Sequence, residues 1–185
     1  VPTGVGTPSA LPIAPIAHLE IGDRPALSWT GRYLVVRGGE ANKGSQLWRI
    51  DLEQPSVQPI AADTDGRHPI SPDGATVALA RAAGGIELVD VAGGSPARAI
   101  EGSVGEEPIS FHANGRSVFT TRLVDNAIQV DLIDLATSAR TAGVRISPDQ
   151  RPSYFSVALS SEGDVVTYST SSDASDLYVI ERAAK

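Results

Sequence analysis

Four stretches of the chain alternate between apolar and polar residues and end in an acidic residue. They cover residues 47–51, 86–90, 130–134 and 177–181. Alternation with a period of two, bounded by turn residues, is typical of a β-strand, because successive side chains of a strand point to opposite faces. The recurrence of the same pattern at similar spacing indicates a repeated β-structure, not four unrelated strands.

A second β-rich run precedes each of these strands and follows a tetrapeptide that ends in glycine. The tetrapeptides are Ser-Trp-Thr-Gly at 28–31, Ser-Pro-Asp-Gly at 71–74, His-Ala-Asn-Gly at 112–115 and Ser-Ser-Glu-Gly at 160–163. Their glycines are 43, 41 and 48 residues apart. Glycine adopts positive φ without steric cost, so each tetrapeptide predicts a tight hairpin turn.

Each unit also begins with a proline-containing corner. Residues 15–25 match residues 59–69 without a gap, with five identities in eleven positions. The corner recurs as Gly-Glu-Glu-Pro at 105–108 and, degraded, as Asp-Gln-Arg-Pro at 149–152. A fourth short strand is predicted at 57–60, 97–100 and 140–144. Residues 6–11 resemble 94–99, which open such a strand, so we expect the N-terminal segment to supply an outer strand.

Units of four antiparallel strands at a period of 40 to 48 residues predict an all-β fold, a β-propeller with four blades. Ser-Pro-Asp-Gly at 71–74, the preceding Pro-Ile-Ser, and Leu-Val-Asp-Val with Gly-Gly-Ser-Pro at 88–96 resemble the TolB-type, WD-like propeller repeats of bacteria. The predicted blades are 14–60, 61–101, 102–145 and 146–185, with residues 5–13 as the outer strand of the last. The resemblance implies an extracytoplasmic setting, periplasmic or extracellular.

Propellers of this type usually close with six to eight blades, which needs roughly 250 to 340 residues at the repeat length seen here. The chain has 185 residues. Three alternatives follow: a segment of a larger ring, a homodimer that forms an eight-bladed ring, or a closed four-bladed ring. The first two are favoured. An open half-ring on its own is disfavoured, because it would expose the apolar faces of its end blades.

Composition narrows the range of partners. The formal net charge of −7 and the pI near 4.9 argue against nucleic acid and anionic lipid, since both require a basic face. The chain has no cysteine, which excludes disulfides, thiolate nucleophiles and cysteine-ligated metals.

The chain has no methionine even at position 1, so we expect a processed or trimmed piece of a longer product. No apolar run approaches the roughly 20 residues that span a bilayer.

The corners carry the candidate binding residues. In a propeller the residues that lead into the innermost strand line the mouth of the channel. The candidates are Asp23, Arg24, Arg67, His68, Glu106, Glu107, Arg151 and Tyr154. One interpretation is a polar rim that binds a protein segment or a small ligand. The other, which is favoured, is a ring of ion pairs between blades, each worth about 0 to 1 kcal/mol when exposed.

Other chemistry is less well supported by the residues. His18, His68 and His112 fall at different places in the repeat, so scattered surface histidines are favoured over a shared metal. Residues 63–66 resemble the start of a calcium loop but lack its downstream ligands, which favours a plain turn. No Gly-x-Ser-x-Gly elbow or phosphate-binding loop is present, and no cofactor is implied. The glycine pairs at 38–39 and 93–94 are interpreted as hairpin turns, and Trp29 and Trp48 as packing within the blades.

The leading hypothesis is therefore a non-catalytic propeller module that binds or scaffolds a protein partner through loops at the channel mouth. The alternative is an accessory propeller segment of a larger enzyme or multi-subunit redox or hydrolytic complex, which docks or gates a catalytic part encoded elsewhere. Fold alone does not decide between the two, because propellers carry both kinds of function.

Overall fold

The structure is a computed structural model, and it describes residues 10–20, 25–62, 66–81, 84–149 and 153–171. Within these ranges the regular structure consists of fourteen β-strands and contains no helix. The strands form four separate antiparallel sheets, each built from one contiguous stretch of chain. The predicted all-β class is confirmed.

The strands follow the predicted units. The first sheet contains β1 (His18–Leu19), β2 (Ala26–Leu27), β3 (Tyr33–Gly39), β4 (Gln46–Asp51) and β5 (Ser56–Ala62). The second contains β6 (Thr76–Ala80), β7 (Ile86–Asp90) and β8 (Arg98–Ile100). The third contains β9 (Glu107–Phe111), β10 (Ser117–Val124), β11 (Ala127–Asp134) and β12 (Arg140–Ile146). The fourth contains β13 (Tyr154–Leu159) and β14 (Val166–Ser171).

Neighbouring strands in each sheet are neighbours along the chain. In the first sheet β1 and β2 both pair with β3, so they form one interrupted edge strand, followed by β4 and β5. In the second sheet this edge is reduced to a single bridge between Ile70 and Val77. We call β2, the Ile70 bridge, β9 and β13 the leading strands, because each opens its sheet.

The four glycine turns have the same geometry. Gly31, Gly74, Gly115 and Gly163 have φ of 76°, 75°, 67° and 77°. Each glycine N–H donates to the carbonyl of the residue three positions earlier, at 2.8 to 3.0 Å. An L-residue with a side chain is strained at such φ values, so the recurring glycine reflects a backbone requirement.

The acidic residues that end the alternating strands hold the next turn. Asp51 accepts hydrogen bonds from the backbone N–H groups of Glu53 and Gln54, both at 3.0 Å. Asp90 and Asp134 accept equivalent bonds from Ala92 and Ala136. The pKa of Asp90 is lowered, chiefly by the backbone N–H of Ala92. The pKa of Asp134 is also lowered, chiefly by the hydroxyl of Thr137, which donates to the same carboxylate. The acid of each repeat is therefore a turn-forming residue.

Apolar side chains fill the spaces between consecutive sheets. Val35 and Leu47 of the first sheet pack with Val77, Leu79 and Val89 of the second. Two further clusters lie between the second and third sheets and between the third and fourth. Because a strand directs alternate residues to opposite faces, the second and third sheets each need two apolar faces, which explains their nearly continuous hydrophobic runs.

The first sheet has an apolar face that points away from the second sheet. It carries Val36, Trp48 and Ile50, and a segment of the chain that contains Ile13 and Ile16 packs against it. We call residues 13–19 the strap. The Ala17 N–H donates to the Gly39 carbonyl at 2.8 Å, and the indole N–H of Trp48 donates to the Gly38 carbonyl at 2.9 Å.

The interpretation of Gly38 and Gly39 as a hairpin turn is wrong. Both lie within β3 and pair with β1. A Cβ atom at Gly38 would lie 2.3 Å from the carbonyl oxygen of His18, and one at Gly39 would lie 2.7 Å from the imidazole Cε1 of His18. The glycines are therefore explained by the close approach of the strap, since a strand can contain glycine where another segment must come near its backbone.

Two outermost strands contain an extra residue relative to their partner. The register of β4 with β5 shifts between Leu47 and Trp48, and that of β11 with β12 shifts between Gln129 and Asp131. In both cases the extra residue is on the outer strand, β5 or β12. A β-bulge of this kind bends the strand and increases its twist.

Two parts of the predicted repeat fall outside the described residues. They are the alternating strand at 177–181 and most of the N-terminal segment predicted to supply an outer strand. Residues 10–13 of that segment are described and form no strand. The blade boundaries therefore remain a prediction.

Candidate functional site

Residues next to the leading strands of all four sheets line one cavity, from which we infer that these strands surround a common channel. One cavity of about 260 Å³ is lined by residues at or beyond the ends of these strands: Ala26, Leu27, Trp29, Pro69, Ile70, Ser110, Phe111, Leu159 and Ser161. Four sheets contribute to one cavity only if their leading strands converge on one axis. We call this end of the channel the tip mouth, and the opposite end, where the corners lead into the strands, the corner mouth.

The tip mouth exposes large apolar side chains. Leu27 is 53% and Trp29 is 54% exposed, whereas Phe111 is buried. The interpretation of Trp29 as packing within a blade is therefore wrong, while that of Trp48, which is 1% exposed, is confirmed. Sequence reasoning missed this mouth. The available signal was Trp29 itself, because the other three glycine turns have Pro72, Ala113 and Ser161 at the same position.

The corner mouth contains the predicted binding residues that the structure describes. Asp23, Arg24 and Arg151 lie outside the described residues. Tyr154 is 58% exposed and Glu107 is also exposed, so both face solvent. Arg67, His68 and Glu106 are turned toward the protein instead. Of the described candidates, two are thus exposed and the other three are buried or half-buried.

Arg67 bonds to the fourth sheet. One guanidinium nitrogen donates to the Val157 carbonyl at 2.5 Å, and another donates to the hydroxyl of Ser156 at 2.8 Å. His68 is 2% exposed, so the expectation of a surface histidine is wrong at this position. No group of three or more potential metal ligands occurs in the described part of the chain.

Glu106 belongs to a charged cluster on the third sheet. Its Oε1 lies 3.0 Å from a guanidinium nitrogen of Arg140 and 3.9 Å from Nε of Arg122. Arg122 also pairs with Asp131 at 3.2 Å. The carboxylates of Glu106 and Asp131 are almost completely buried, and two partly exposed arginines balance their charges. The favoured expectation is ion pairs between blades, whereas these pairs lie within one sheet.

A second cavity of about 260 Å³ lies beside this cluster, between the second and third sheets. Its lining includes Arg81, Glu106 and Glu107 together with glycines of the two corners. Arg81 is paired with Glu87 of its own sheet. The cavity therefore presents Glu107 as its accessible charge, since the other ionic groups already have partners of opposite sign.

The largest of the described cavities, about 440 Å³, lies between the first and second sheets. Tyr33 lies there between two arginines, with the guanidinium carbons of Arg32 and Arg49 at 4.8 and 5.3 Å from its ring centre. Arg32 donates to Asp51 at 3.0 and 3.2 Å. This bond, helped by the backbone N–H groups of Gln54 and Glu53, lowers the pKa of Asp51 to about 2. The ion pair between Arg32 and Asp51 links the start of β3 to the end of β4, and the lowered pKa keeps the Asp51 carboxyl ionised.

The described part of the chain contains no helix long and apolar enough to cross a bilayer.

No family model matches the sequence, and no curated protein matches it either. Solved structures do match. TolB from Acinetobacter baumannii is 18% identical with a TM-score of 0.57, over 81% of this chain and 43% of that chain. A chain of the nidogen/laminin complex is 12% identical with a TM-score of 0.56, over 79% and 55%. The acylaminoacyl peptidase of Pyrococcus horikoshii is 15% identical with a TM-score of 0.58, over 84% and 28%.

The fold is thus a partial β-propeller, and its repeats are of the type found in TolB and other propeller proteins. The chain spans about half, or less, of the length of the structures that it matches. At these identities the similarity establishes the fold alone.

Proposed function

We propose that the chain is a non-catalytic propeller module that binds an extended segment of a protein partner at the tip mouth of the channel. The observation that carries the proposal is the cavity at that mouth, to which all four sheets contribute and where Leu27 and Trp29 are more than half exposed. Exposed large apolar residues grouped around a cavity are typical of an interaction site, because leaving them in water has a free-energy cost.

The chemistry of the mouth favours a peptide segment with a bulky apolar side chain. A tryptophan at the rim of a pocket is among the side chains that most often dominate binding energy. Ser110 and Ser161 add polar groups to the lining. Rigid sheets behind the loops would keep the cavity preformed, which lowers the entropy cost of binding.

The corner mouth supports the same class of function less strongly. Of its described candidates, Glu107 and Tyr154 are accessible, whereas Arg67 and Glu106 are held by other groups of the chain. The predicted polar rim therefore stays a prediction, and variants of these two accessible residues distinguish it from the tip mouth. An extracytoplasmic location, periplasmic or extracellular, is part of the proposal on the resemblance to TolB-type repeats.

The second candidate function is an accessory segment of a larger enzyme or complex. It is favoured by the match to an acylaminoacyl peptidase, of which this chain covers 28%. In that case the tip mouth would contact another part of the same assembly. The mass of the isolated chain in solution, measured by light scattering, distinguishes a lone segment from a homodimer that completes a ring.

Panning of a random peptide library against the chain tests the binding proposal. We expect the selected peptides to share a bulky apolar residue, and Trp29→Ala to weaken their binding by about tenfold or more, as expected for a central aromatic contact. Tyr168→Ala removes an equally exposed aromatic residue that is not part of the cavity lining and serves as the control. Equal affinity of the wild type and Trp29→Ala would contradict the tip-mouth site, and a loss confined to Glu107→Ala and Tyr154→Ala would place binding at the corner mouth.

A further inference from the structure

Arg67 connects two sheets that are not neighbours. It lies just before the leading bridge of the second sheet, yet its hydrogen-bond acceptors, Val157 and Ser156, belong to β13 of the fourth sheet. The third sheet lies between these two and packs on both through apolar clusters. By contrast, Arg49 and Ala113 donate to Val91 and Ser161, which belong to adjacent sheets.

The position of the contact along β13 places it inside the channel. β13 runs from Tyr154 at the corner mouth to Leu159 at the tip mouth, and Val157 lies between them. β13 is the leading strand of its sheet, and β14 pairs along its other edge. The carbonyl that Arg67 reaches therefore belongs to the strand that faces the channel axis.

A guanidinium group suits this role because of its shape. It is planar, remains charged at any physiological pH, and presents several N–H donors in a fixed fork. One group can thus satisfy a backbone carbonyl and a hydroxyl at the same time. A lysine has a single ammonium on a flexible stem, so it would hold one acceptor less firmly.

We propose that Arg67 is a bolt across the channel that holds the fourth sheet at a fixed distance from the second. Without it, the fourth sheet keeps its apolar contacts with the third and can swing outward about them. The bolt thereby sets the width of the channel between the two mouths. This inference rests on the Arg67 contacts and does not depend on what binds at the tip mouth.

Hydrogen exchange measured by mass spectrometry tests the bolt. In Arg67→Ala we expect the amides of β13 and β14 to exchange about tenfold faster or more, which corresponds to the loss of charge-assisted hydrogen bonds, while β9 to β12 keep their protection. Arg145→Ala is the matched control, because Arg145 also donates to a carbonyl, that of Val124, but within the third sheet. In Arg67→Lys the exchange of the β13 and β14 amides should be intermediate between the wild type and Arg67→Ala. This variant tests the proposal if the alanine variant does not fold.

A distance measurement tests the swing itself. The chain has no cysteine, so Ala97→Cys with Ser169→Cys provides two unique sites for spin labels on exposed positions of the second and fourth sheets. We expect Arg67→Ala to lengthen or broaden the distance distribution and Arg145→Ala to leave it unchanged. An unchanged distribution with unchanged exchange in β13 and β14 would overturn the proposal. Faster exchange in all four sheets alike would also overturn it, since it would reveal a general loss of stability and no specific bolt.

Discussion

The first and the fourth sheet each have one face that turns away from the neighbouring described sheet, and these two faces differ in chemistry. The far face of the first sheet is apolar and is covered by the strap, which leaves Trp48 and Ile50 buried. The register of β13 with β14 gives the far face of the fourth sheet Tyr154, Ser156, Ala158, Thr167, Ser169 and Ser171, most of them exposed.

This difference shows that the repeat specifies the strands but not the use of each face. The proline-containing corner and the glycine turn recur in both units. The far-face positions of the strands are apolar in the first sheet and mostly small or polar in the fourth. Among the described residues, the far face of the fourth sheet is mostly exposed and polar, whereas the apolar far face of the first sheet is covered by a separate segment of chain.

The largest expected effect comes from removing the centre of the covered face. Trp48→Ala should destabilise the chain by about 3 to 5 kcal/mol, because the indole is fully buried and its N–H bonds to the Gly38 carbonyl. Urea unfolding followed by far-ultraviolet circular dichroism measures it without relying on tryptophan emission. Tyr154→Ala on the far face of the fourth sheet, where the residue is 58% exposed, should cost less than about 1 kcal/mol. Similar costs for the two variants would contradict the distinction between the sheets.

A smaller effect is expected from forcing the strap away from β3. Gly38→Ala should cost about 1 to 3 kcal/mol, because the new methyl group would collide with the His18 carbonyl and the strap would have to move. Thermal unfolding and the tryptophan emission maximum, recorded in a Trp29→Phe background so that Trp48 is the emitter, report on this change, with a shift to longer wavelength as the indole meets water. Gly44→Ala is the control, since nothing lies within 4 Å of a Cβ there. A Gly38→Ala chain with wild-type stability and emission would show that the strap does not cover this face in solution.

A pH-dependent effect is expected at the end of β4. The pKa of Asp51 is lowered from 3.8 to about 2 in the folded chain, so its carboxylate stabilises the fold fully above pH 3.8 and loses this contribution as the pH falls toward 2. Asp51→Asn should therefore be less stable than the wild type near pH 7, and the gap should narrow between about pH 4 and pH 2. The gap is measured by urea unfolding at each pH. Asp125→Asn, in the exposed turn between β10 and β11, should show a gap that changes much less. A constant gap for Asp51→Asn down to pH 2 would mean that Arg32 does not hold this carboxylate.

The strands could be predicted from the sequence because their signals are local. Turn glycines, alternation and the acid at the end of a strand each act within a few residues. Gly74 forms its turn through its own positive φ, and Asp51 and Asp134 accept bonds from backbone N–H groups two residues later. β6, β7, β10 and β11 accordingly begin and end close to the predicted positions.

The strap and the two mouths of the channel could not be predicted in the same way, because they depend on contacts between residues that are distant in the sequence. Gly38 looks like a turn glycine until the strap, some twenty residues earlier, is placed against it. Arg67 looks like a free rim residue until β13, about ninety residues later, is brought beside it. Trp29 lies in a predicted turn and is interpreted from the sequence as blade packing, and only the contribution of all four sheets to one cavity shows that it stands at an opening.

The bulges on the outermost strands have a consequence for how the protein behaves at high concentration. Among the described residues, β5 and β12 are the last strands of their sheets, and a strand edge in that position can pair with the edge of another molecule. The extra residue in each strand twists that edge, and Pro59 in β5 removes one backbone donor from it. The bulges therefore make β5 and β12 poorer partners for the strand edge of another molecule.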